Sequence, residues 1–224
     1  MNVEQSIKTA PDRPRAGGRP LWPVPAVALI ALVVVWFFAY TLPKYVPRLF
    51  DPHIAAVRSL HGGLGMLAVV TAVVQIWPGM RRRYPVLHRW NGRVYVFGGV
   101  VPGALMLFGA LFAIGRPDST ASFFWGVVWL WTTARAWRAV RRRRYAEHRR
   151  WMAYSVAITL VAVTNAGLVV VSPHLTWLVG QAVLLDTLDW LPWVVHLLVA
   201  HWFVTRYDAV PHPAPSRRSA RAPS

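Results

Sequence analysis

RRRYPVLHRW, residues Arg81–Trp90, recurs about sixty residues later as RRRYAEHRRW, residues Arg142–Trp151. Each copy stands between two apolar runs of about 20 residues, the length that an α-helix needs to cross a hydrocarbon core of about 30 Å. Arg-rich segments in such positions are typical of short cytoplasmic loops between membrane helices. The two copies therefore predict two helical hairpins that lie in a bilayer and turn on its cytoplasmic side.

The composition of the whole chain agrees with a membrane protein. Of its 224 residues 55% are hydrophobic, and 25 Lys and Arg against 8 Asp and Glu give a formal net charge of +17. In a soluble protein such a charge suggests nucleic acid, but the positive-inside rule already accounts for Arg clusters beside apolar segments. We therefore expect no nucleic-acid partner. Because the sequence contains no Cys, disulfides, thiolate metal sites and iron–sulfur clusters are excluded.

Six apolar runs predict an all-α bundle of six membrane-spanning helices. They cover about residues 24–42, 55–77, 94–114, 119–140, 151–171 and 188–204. Proline suits a first helical turn, so Pro85 offers an earlier start for the third helix, which would put His88 on the helix itself. Residues 175–185 are apolar but too few to span a bilayer, and they predict a short outer interfacial or partly inserted helix.

The distribution of charge predicts the topology. Residues 1–20 and 208–224 are polar, rich in Pro and Arg, and predict disordered tails, which leaves a transmembrane domain at 21–207. Among the 25 Lys and Arg, the predicted outer segments contain only Lys44, Arg48, Arg58 and Arg116. This asymmetry predicts that both termini are cytoplasmic, and we expect the bacterial inner membrane as location, with anionic lipid at its inner face.

The repeated stretch suggests a duplication of the whole hairpin. Both hairpins have the same orientation, so they form a parallel repeat related by an axis along the membrane normal. The correspondence extends to Trp77 with Trp137 and, within one residue, to Tyr95 with Tyr154. Chance recurrence of a short Arg run is the alternative. A true duplication predicts that His88 and His148 face each other across a pseudo-twofold axis.

Three motifs resemble a known family. These are H-x-x-x-G at His61–Gly65, LHRWNGRVYV at Leu87–Val96, and HRRWM at His148–Met152. Over roughly residues 55–170 the chain resembles the predicted bacterial membrane proteins grouped as domain of unknown function 2306. The resemblance implies a polytopic membrane protein with no established activity. Asn165 departs from the basic residue expected at that position, which puts any role of the position in doubt.

The histidines predict the most specific chemistry. Helical bundles ligate b-type haem through one His from each of two helices. We expect His88 and His148 as axial ligands near the inner surface, and His61 with His196 near the outer one, in a protein that transfers electrons across the membrane. The alternative is an interfacial His that bonds to lipid phosphate or to a backbone carbonyl. Gly62 and Gly65 suit close approach of a porphyrin or, equally, close packing of helices.

Two other functions are compatible with the sequence. Asp189 and His196 are seven residues apart, hence on one helix face, and form a candidate proton or ion relay with His61 and Arg58. A membrane scaffold whose basic face, Arg81–Arg83 and Arg141–Arg144, binds anionic lipid is the third possibility. Hydrolases and nucleotide-binding enzymes are not supported, because the sequence has no Gly-rich phosphate loop, no HExxH motif and no carboxylate pair in an apolar run. No catalytic residue or metal ligand set is predicted.

Overall fold

The computed structural model describes residues 28, 31–32, 34–41, 43, 56–109, 119–178 and 180–208. Across these ranges the chain is helical and contains no strand, which confirms the all-α class. The predicted tails, apart from Asp208, lie outside the described residues, so their assignments stay predictions. The first predicted crossing is described in part, at residues 28, 31–32 and 34–41, where the chain is helical and includes a π-helical segment at Phe37–Thr41.

The described helices follow the chain in three groups. The first group comprises α1 (Ala56–Ile76), α2 (Pro78–Arg83), α3 (Pro85–Arg93), a π-helical segment (Val94–Val100) and α4 (Val101–Gly109). The second comprises α5 (Ser119–Arg141) and α6 (Tyr145–Val171), and the third a 3-10 turn (Ser172–His174) and α7 (Gln181–Asp208). Because α3, the π segment and α4 adjoin without a gap, they form one continuous helical rod.

Two helices are long and apolar enough to cross a membrane by length and composition. They are Tyr145–Leu168, within α6, and Ala182–Arg206, within α7, and Leu60–Ile76 of α1 is a shorter apolar helix. The structure is therefore consistent with a helical membrane protein, while the number of six crossings stays a prediction.

The predicted helices at 55–77 and 119–140 agree with α1 and α5 to within one residue, whereas the sixth predicted crossing, 188–204, lies inside the longer α7. The third helix does begin at Pro85, as its proline suggested, and it carries His88. The fifth predicted helix begins at Tyr145, six residues before the expected Trp151, so the end of the second basic stretch is helical.

The prediction of a separate short outer helix over residues 175–185 is wrong. A 3-10 turn and a further turn fill residues 172–178, and one helix then runs from Gln181 to Asp208. Its first turn is closed by the Leu184 amide, which donates to the Gly180 carbonyl over 3.0 Å. Pro192 lies in the interior of this helix rather than in its first turn. The ring removes a single amide donor, and membrane helices tolerate this loss.

Small residues let the helices at the centre approach closely. A Cβ at Gly99, in the π segment, would lie only 2.9 Å from the Cα and Cβ atoms of Ala68 on α1. Ala68, Ala72 and Ala104 are fully buried in the same core as Tyr95 and Ile158. Such close packing is typical of helices that associate in a membrane, and it brings polar side chains of different helices into contact.

Candidate functional site

The repeated histidines occupy the same place on their helices. His88 is the fourth residue of α3 and His148 the fourth residue of α6. In each helix the His amide donates over 2.9 Å to the carbonyl of the residue that precedes the helix, Tyr84 or Arg144. Both histidines lie at the end of the bundle that carries the two Arg stretches, which we call the basic end.

His88 is a neutral, partly buried imidazole with one unused ring nitrogen. It lies on α3 before the apolar part of the rod begins at Val94. Burial lowers the pKa of His88 most, and the neighbouring charges of His148, Arg81 and Arg89 lower it further. The Nδ1 atom of His88 is buried and has no hydrogen-bond partner among the residues that the structure describes. The charge of His148 is thus one cause of the lowered pKa of His88, and the prediction that the two residues face each other stays a prediction.

His148 has the hydrogen bond that ligating histidines usually have. Its Nδ1 lies 2.9 Å from the backbone carbonyl oxygen of Ala136 on α5, so Nδ1 carries the proton. The lone pair is then on Nε2, the arrangement that orients an imidazole toward a metal. The assignment of His88 and His148 as an axial haem pair stays a prediction, because a hydrogen bond to a backbone carbonyl is also what an interfacial His without a cofactor forms.

His61 and His196 do not fit a second haem as they are placed. His61 lines a cavity of about 30 Å³ together with Gly65, Gly103 and other residues. That volume has room for a water molecule, whereas cofactor-sized ligands occupy about 300–1,000 Å³. Both ring nitrogens of His196 have partners on α6: Nδ1 lies 2.8 Å from the Ala157 carbonyl oxygen and Nε2 lies 2.9 Å from Thr164 Oγ1.

The candidate relay of Asp189, His196, His61 and Arg58 stays a prediction. Asp189 lies on α7 two turns before His196, whose ring bonds to α6. His61 instead shares its cavity with Trp125, Trp129 and Thr159. The side chain of Arg58 lies outside the described residues.

The most connected polar feature is a set of five buried side chains that we call the polar core. Its members are Tyr95, Trp129, Thr133, Ser155 and Thr159, each at most 5% exposed. The Tyr95 hydroxyl lies 2.6 Å from Ser155 Oγ and 2.7 Å from Thr159 Oγ1. Ser155 Oγ lies 2.6 Å from Thr133 Oγ1, and Trp129 Nε1 donates to Thr159 Oγ1 over 3.0 Å. These bonds join the π segment, α5 and α6 in one network.

The polar core adjoins both histidine sites. Trp129 and Thr159 also line the cavity of His61. Toward the basic end, His88, Asn91 and Tyr95 are spaced by three and four residues, so they follow one face of the rod. Asn91 Nδ2 donates to the Thr71 carbonyl over 2.8 Å, and Gln75 Nε2 donates to the His88 carbonyl over 3.1 Å. The Oε1 atom of Gln75 is buried and has no hydrogen-bond partner.

The polar core was not predicted from the sequence, although its spacing is visible there. Ser155 and Thr159 are four residues apart, as are Trp129 and Thr133, so each pair shares one face of its helix. Hydroxyl residues within apolar runs carry no charge and do not interrupt a hydropathy pattern. Their shared spacing becomes informative only once the facing helices are known.

The comparisons with known proteins agree with a membrane protein. The chain matches the family model described as "Predicted membrane protein (DUF2306)" over residues 59–204, which is more than half of its length. Among curated proteins and among solved structures, none matches the chain.

Proposed function

We propose that this chain, which belongs to the DUF2306 family of predicted membrane proteins, transfers protons along its polar core between His61 and the histidines of the basic end. The hydrogen-bonded hydroxyls of Tyr95, Ser155, Thr159 and Thr133 are the observation that carries the proposal. Chains of Asp, Glu and His inside membrane bundles form the proton relays of pumps and transporters, and here the neutral hydroxyls would connect histidines at the two ends. Hydrogen bonding that only holds helices together is the structural alternative, and a measurement of proton flux separates the two.

The network has the connectivity that proton transfer requires. Tyr95 lies between Ser155 and Thr159, so its hydroxyl can accept a proton from one neighbour while it donates its own to the other. Each hydroxyl then ends with one proton and no charge. Thr159 also bonds to the Ser155 carbonyl over 2.9 Å, and Thr133 to the Trp129 carbonyl over 2.8 Å, which gives both hydroxyls a second orientation.

The ends of the network lie near groups that exchange protons with their surroundings. At one end the cavity of about 30 Å³ separates His61 from Thr159, a gap that one water molecule bridges. At the other end the steps from Tyr95 to Asn91 and from Asn91 to His88 are each one helical turn. Side chains so spaced have Cβ atoms about 5–6 Å apart, which again suits a bridging water.

Proton flux into liposomes tests the proposal. The purified full-length chain is reconstituted with a pH-sensitive dye inside, and flux is driven by a potassium diffusion potential. Loss of one group from a proton path lowers its rate by about a hundredfold, which we expect for both Tyr95→Phe and Thr159→Val. Circular dichroism checks that each variant is folded. If one variant is misfolded, the proton flux of the other still tests the proposal.

Thr132→Val is the matched control. Thr132 is as buried as Thr133 but bonds only to carbonyls of its own helix, those of Val128 and Trp129. Its variant should conduct like the unaltered protein. Flux no faster than in empty liposomes, or an equal loss in Thr132→Val, would overturn the proposal.

A b-type haem at the basic end is a second candidate function, favoured by the unpartnered Nδ1 of His88. His88 and His148 would hold the haem, Ala136 would keep the His148 ring oriented through its carbonyl, and Arg81, Arg89 and Arg149 would offer positive charge to its carboxylates. A haem bound there would supply single-electron transfer.

A reduced-minus-oxidised absorption spectrum of protein purified from haem-replete cells decides this candidate. His88→Ala and His148→Ala should each abolish the Soret band. His201→Ala should keep it, because His201 is exposed and bonds to the Tyr154 hydroxyl over 3.0 Å instead. An unaltered protein without a Soret band would rule out the haem, and a protein with neither haem nor proton flux would leave the membrane scaffold as the remaining function.

A further inference from the structure

A basic pocket lies where α5 ends and α6 begins, apart from the polar core. It has a volume of about 120 Å³ and is lined by Arg135, Arg138, Ala139, Arg142, Arg144 and Glu147. Four guanidinium groups and one carboxylate give this lining a net charge of +3 (4 − 1). The volume has room for several water molecules, or for one tetrahedral group with its oxygens. We call this site the basic pocket.

Glu147 and Trp151 hold part of the pocket in place. Arg135 Nη2 lies 3.5 Å from Glu147 Oε1, and Arg144 Nη1 lies 3.6 Å from Glu147 Oε2. The guanidinium carbon of Arg135 also lies 5.0 Å from the centre of the Trp151 ring. These ion pairs are exposed and stabilise the fold little, but they keep two guanidinium groups pointed at one place. One carboxylate cannot neutralise four arginines, so the pocket stays positive.

The backbone around the basic pocket leaves amide donors for a ligand. Arg144 precedes α6, and its side chain forms no capping hydrogen bond to this helix. The first amides of an α-helix have no partner within the helix, and together with the helix dipole they favour an anion. Arg143, beside the pocket, has φ 59° and is the one non-glycine residue with positive φ in the described chain. This left-handed residue caps α5, because the Arg144 amide donates to the Ala139 carbonyl over 2.9 Å and the Arg143 amide donates to the Val140 carbonyl over 3.0 Å, as in a Schellman motif.

The first basic stretch cannot build the same pocket. With the two helices aligned from their first residues, three of the four pocket arginines have no basic equivalent: Gln75 matches Arg135, Pro78 matches Arg138 and Tyr84 matches Arg144. Leu87 takes the place of the tethering Glu147. The pocket is therefore a property of the second hairpin and not of positive charge near a membrane in general.

We propose that the basic pocket binds a phosphoryl group, carried either by a lipid headgroup or by a soluble phosphate. Guanidinium groups bind phosphate oxygens through paired hydrogen bonds, and several of them surround a volume of the right size here. The uncapped amides of α6 supply further donors on the same side. This binding is independent of proton transfer, so either proposal can fail without the other.

Two titrations of the full-length protein in neutral detergent test the proposal. Calorimetry with inorganic phosphate measures binding of the soluble form. Native mass spectrometry with phosphatidic acid, against diacylglycerol that lacks the phosphoryl group, measures binding of the lipid form. Saturable binding of phosphate alone identifies a soluble ligand, and selective binding of phosphatidic acid identifies a lipid. Binding of neither overturns the proposal.

Two double variants that remove the same charge distinguish specific binding in the basic pocket from unspecific attraction to a basic surface. Arg138→Gln with Arg142→Gln removes two pocket arginines that Glu147 does not tether, and affinity should fall about tenfold or more. Arg81→Gln with Arg82→Gln removes the same charge from the first stretch and should leave affinity unchanged. Equal losses in the two double variants would show unspecific attraction and overturn the proposal.

Discussion

The first and second basic stretches start from nearly the same ten residues and fold differently. In the first, α1 ends at Ile76, Trp77 is extended with φ −61° and ψ 120°, and α2 begins at Pro78. In the second, α5 continues without a break through Trp137 to Arg141. Pro78 explains the difference, because proline lacks an amide donor and disfavours helical geometry in the residue before it. Arg138 occupies the equivalent position and lets the helix continue.

The two stretches also end differently and then converge again. Arg83 is helical, whereas Arg143 has φ 59°. Tyr84 and Arg144, which precede α3 and α6, both leave helical geometry, with ψ 63° and ψ 72°. From there on, each residue of α3 corresponds to the residue of α6 that lies 60 positions later in the chain. His88 is the eighth residue of the first stretch and His148 the seventh of the second, but on their helices the two occupy equivalent positions.

This convergence indicates where a duplication axis would lie. At a spacing of 60, Tyr95 is equivalent to Ser155, and their side chains are hydrogen bonded over 2.6 Å. His88 and His148 are equivalent as well, and the charge of His148 is one cause of the lowered pKa of His88. Residues that a twofold axis exchanges can touch each other only near that axis. A duplication would therefore place both the polar core and the histidine pair close to its pseudo-twofold axis, although the connectors differ.

The largest expected effect is a loss of stability in the first hairpin, at the position where the π segment packs against α1. Gly99 is equivalent to Thr159, yet a Cβ at Gly99 would approach Ala68 to 2.9 Å. Gly99→Ala should therefore destabilise the protein by about 1–3 kcal/mol through overpacking, although alanine forms helices better than glycine by about 1 kcal/mol. Thermal unfolding in detergent, followed by circular dichroism, measures the change.

Gly65→Ala is the control for this prediction. An added Cβ at Gly65 meets nothing within 4 Å, so the helix propensity of alanine should make this variant equally stable or more stable. If Gly99→Ala were as stable as Gly65→Ala, the first copy would not be packed as closely as the structure indicates.

The second prediction concerns the contact at the proposed axis. Tyr95→Phe leaves the ring in place but removes the hydroxyl between Ser155 and Thr159, and a lost buried hydrogen bond costs about 1–3 kcal/mol. Ser155→Ala removes the other partner. In a double-mutant cycle the two changes should couple by at least about 0.5 kcal/mol, since contacting residues are not additive. Strict additivity would mean that the equivalent residues do not meet.

Several helices and some of their bounds could be predicted from the sequence, whereas the contacts between the helices could not. Apolar runs, Pro85 and the Arg stretches set local structure, so they predict α1, α5 and the start of α3. The expectation of a separate outer helix is wrong because the end of the short apolar run 175–185 continues into one helix from Gln181 to Asp208. Pro192 does not interrupt this helix, since a proline inside a long apolar helix removes only one donor. The polar core depends on which faces of three helices meet, and a single sequence does not contain that information.

The third prediction concerns how protein stability depends on pH through His88, the histidine of the first basic stretch. Burial and the charges of His148, Arg81 and Arg89 hold the pKa of His88 below its usual value, which is about 6.5 in an unfolded chain. Between these two pKa values the unfolded state binds more protons than the folded state. Stability should therefore be full above about pH 6.5 and fall as the pH drops toward the folded pKa. Unfolding followed across this range should show the loss, and His88→Gln should reduce it.

Variants of two neighbouring arginines test whether the pH dependence comes from His88. Arg81→Gln removes one of the charges that lower the pKa of His88, so the fall in stability with pH should become shallower. Arg82→Gln removes the same charge from the next residue, which is not among the groups acting on His88, and should leave the slope unchanged. Equal slopes in the two variants would contradict the placement of Arg81 beside the ring.

The smallest expected effect is a change in stability on substitution by glycine, which has opposite signs in the two basic stretches. Arg143 has φ 59°, a left-handed conformation that costs a non-glycine residue about 1 kcal/mol or more and that glycine adopts freely. Arg143→Gly should therefore stabilise the protein by up to about 1 kcal/mol. Arg83, its equivalent, ends α2 in helical geometry, so Arg83→Gly should destabilise by up to about 1 kcal/mol, the helix penalty of glycine. Both variants lose the same charge, so opposite shifts in the unfolding midpoint can come only from the backbone. Shifts of the same sign would mean that the two stretches turn alike and that Pro78 does not set them apart.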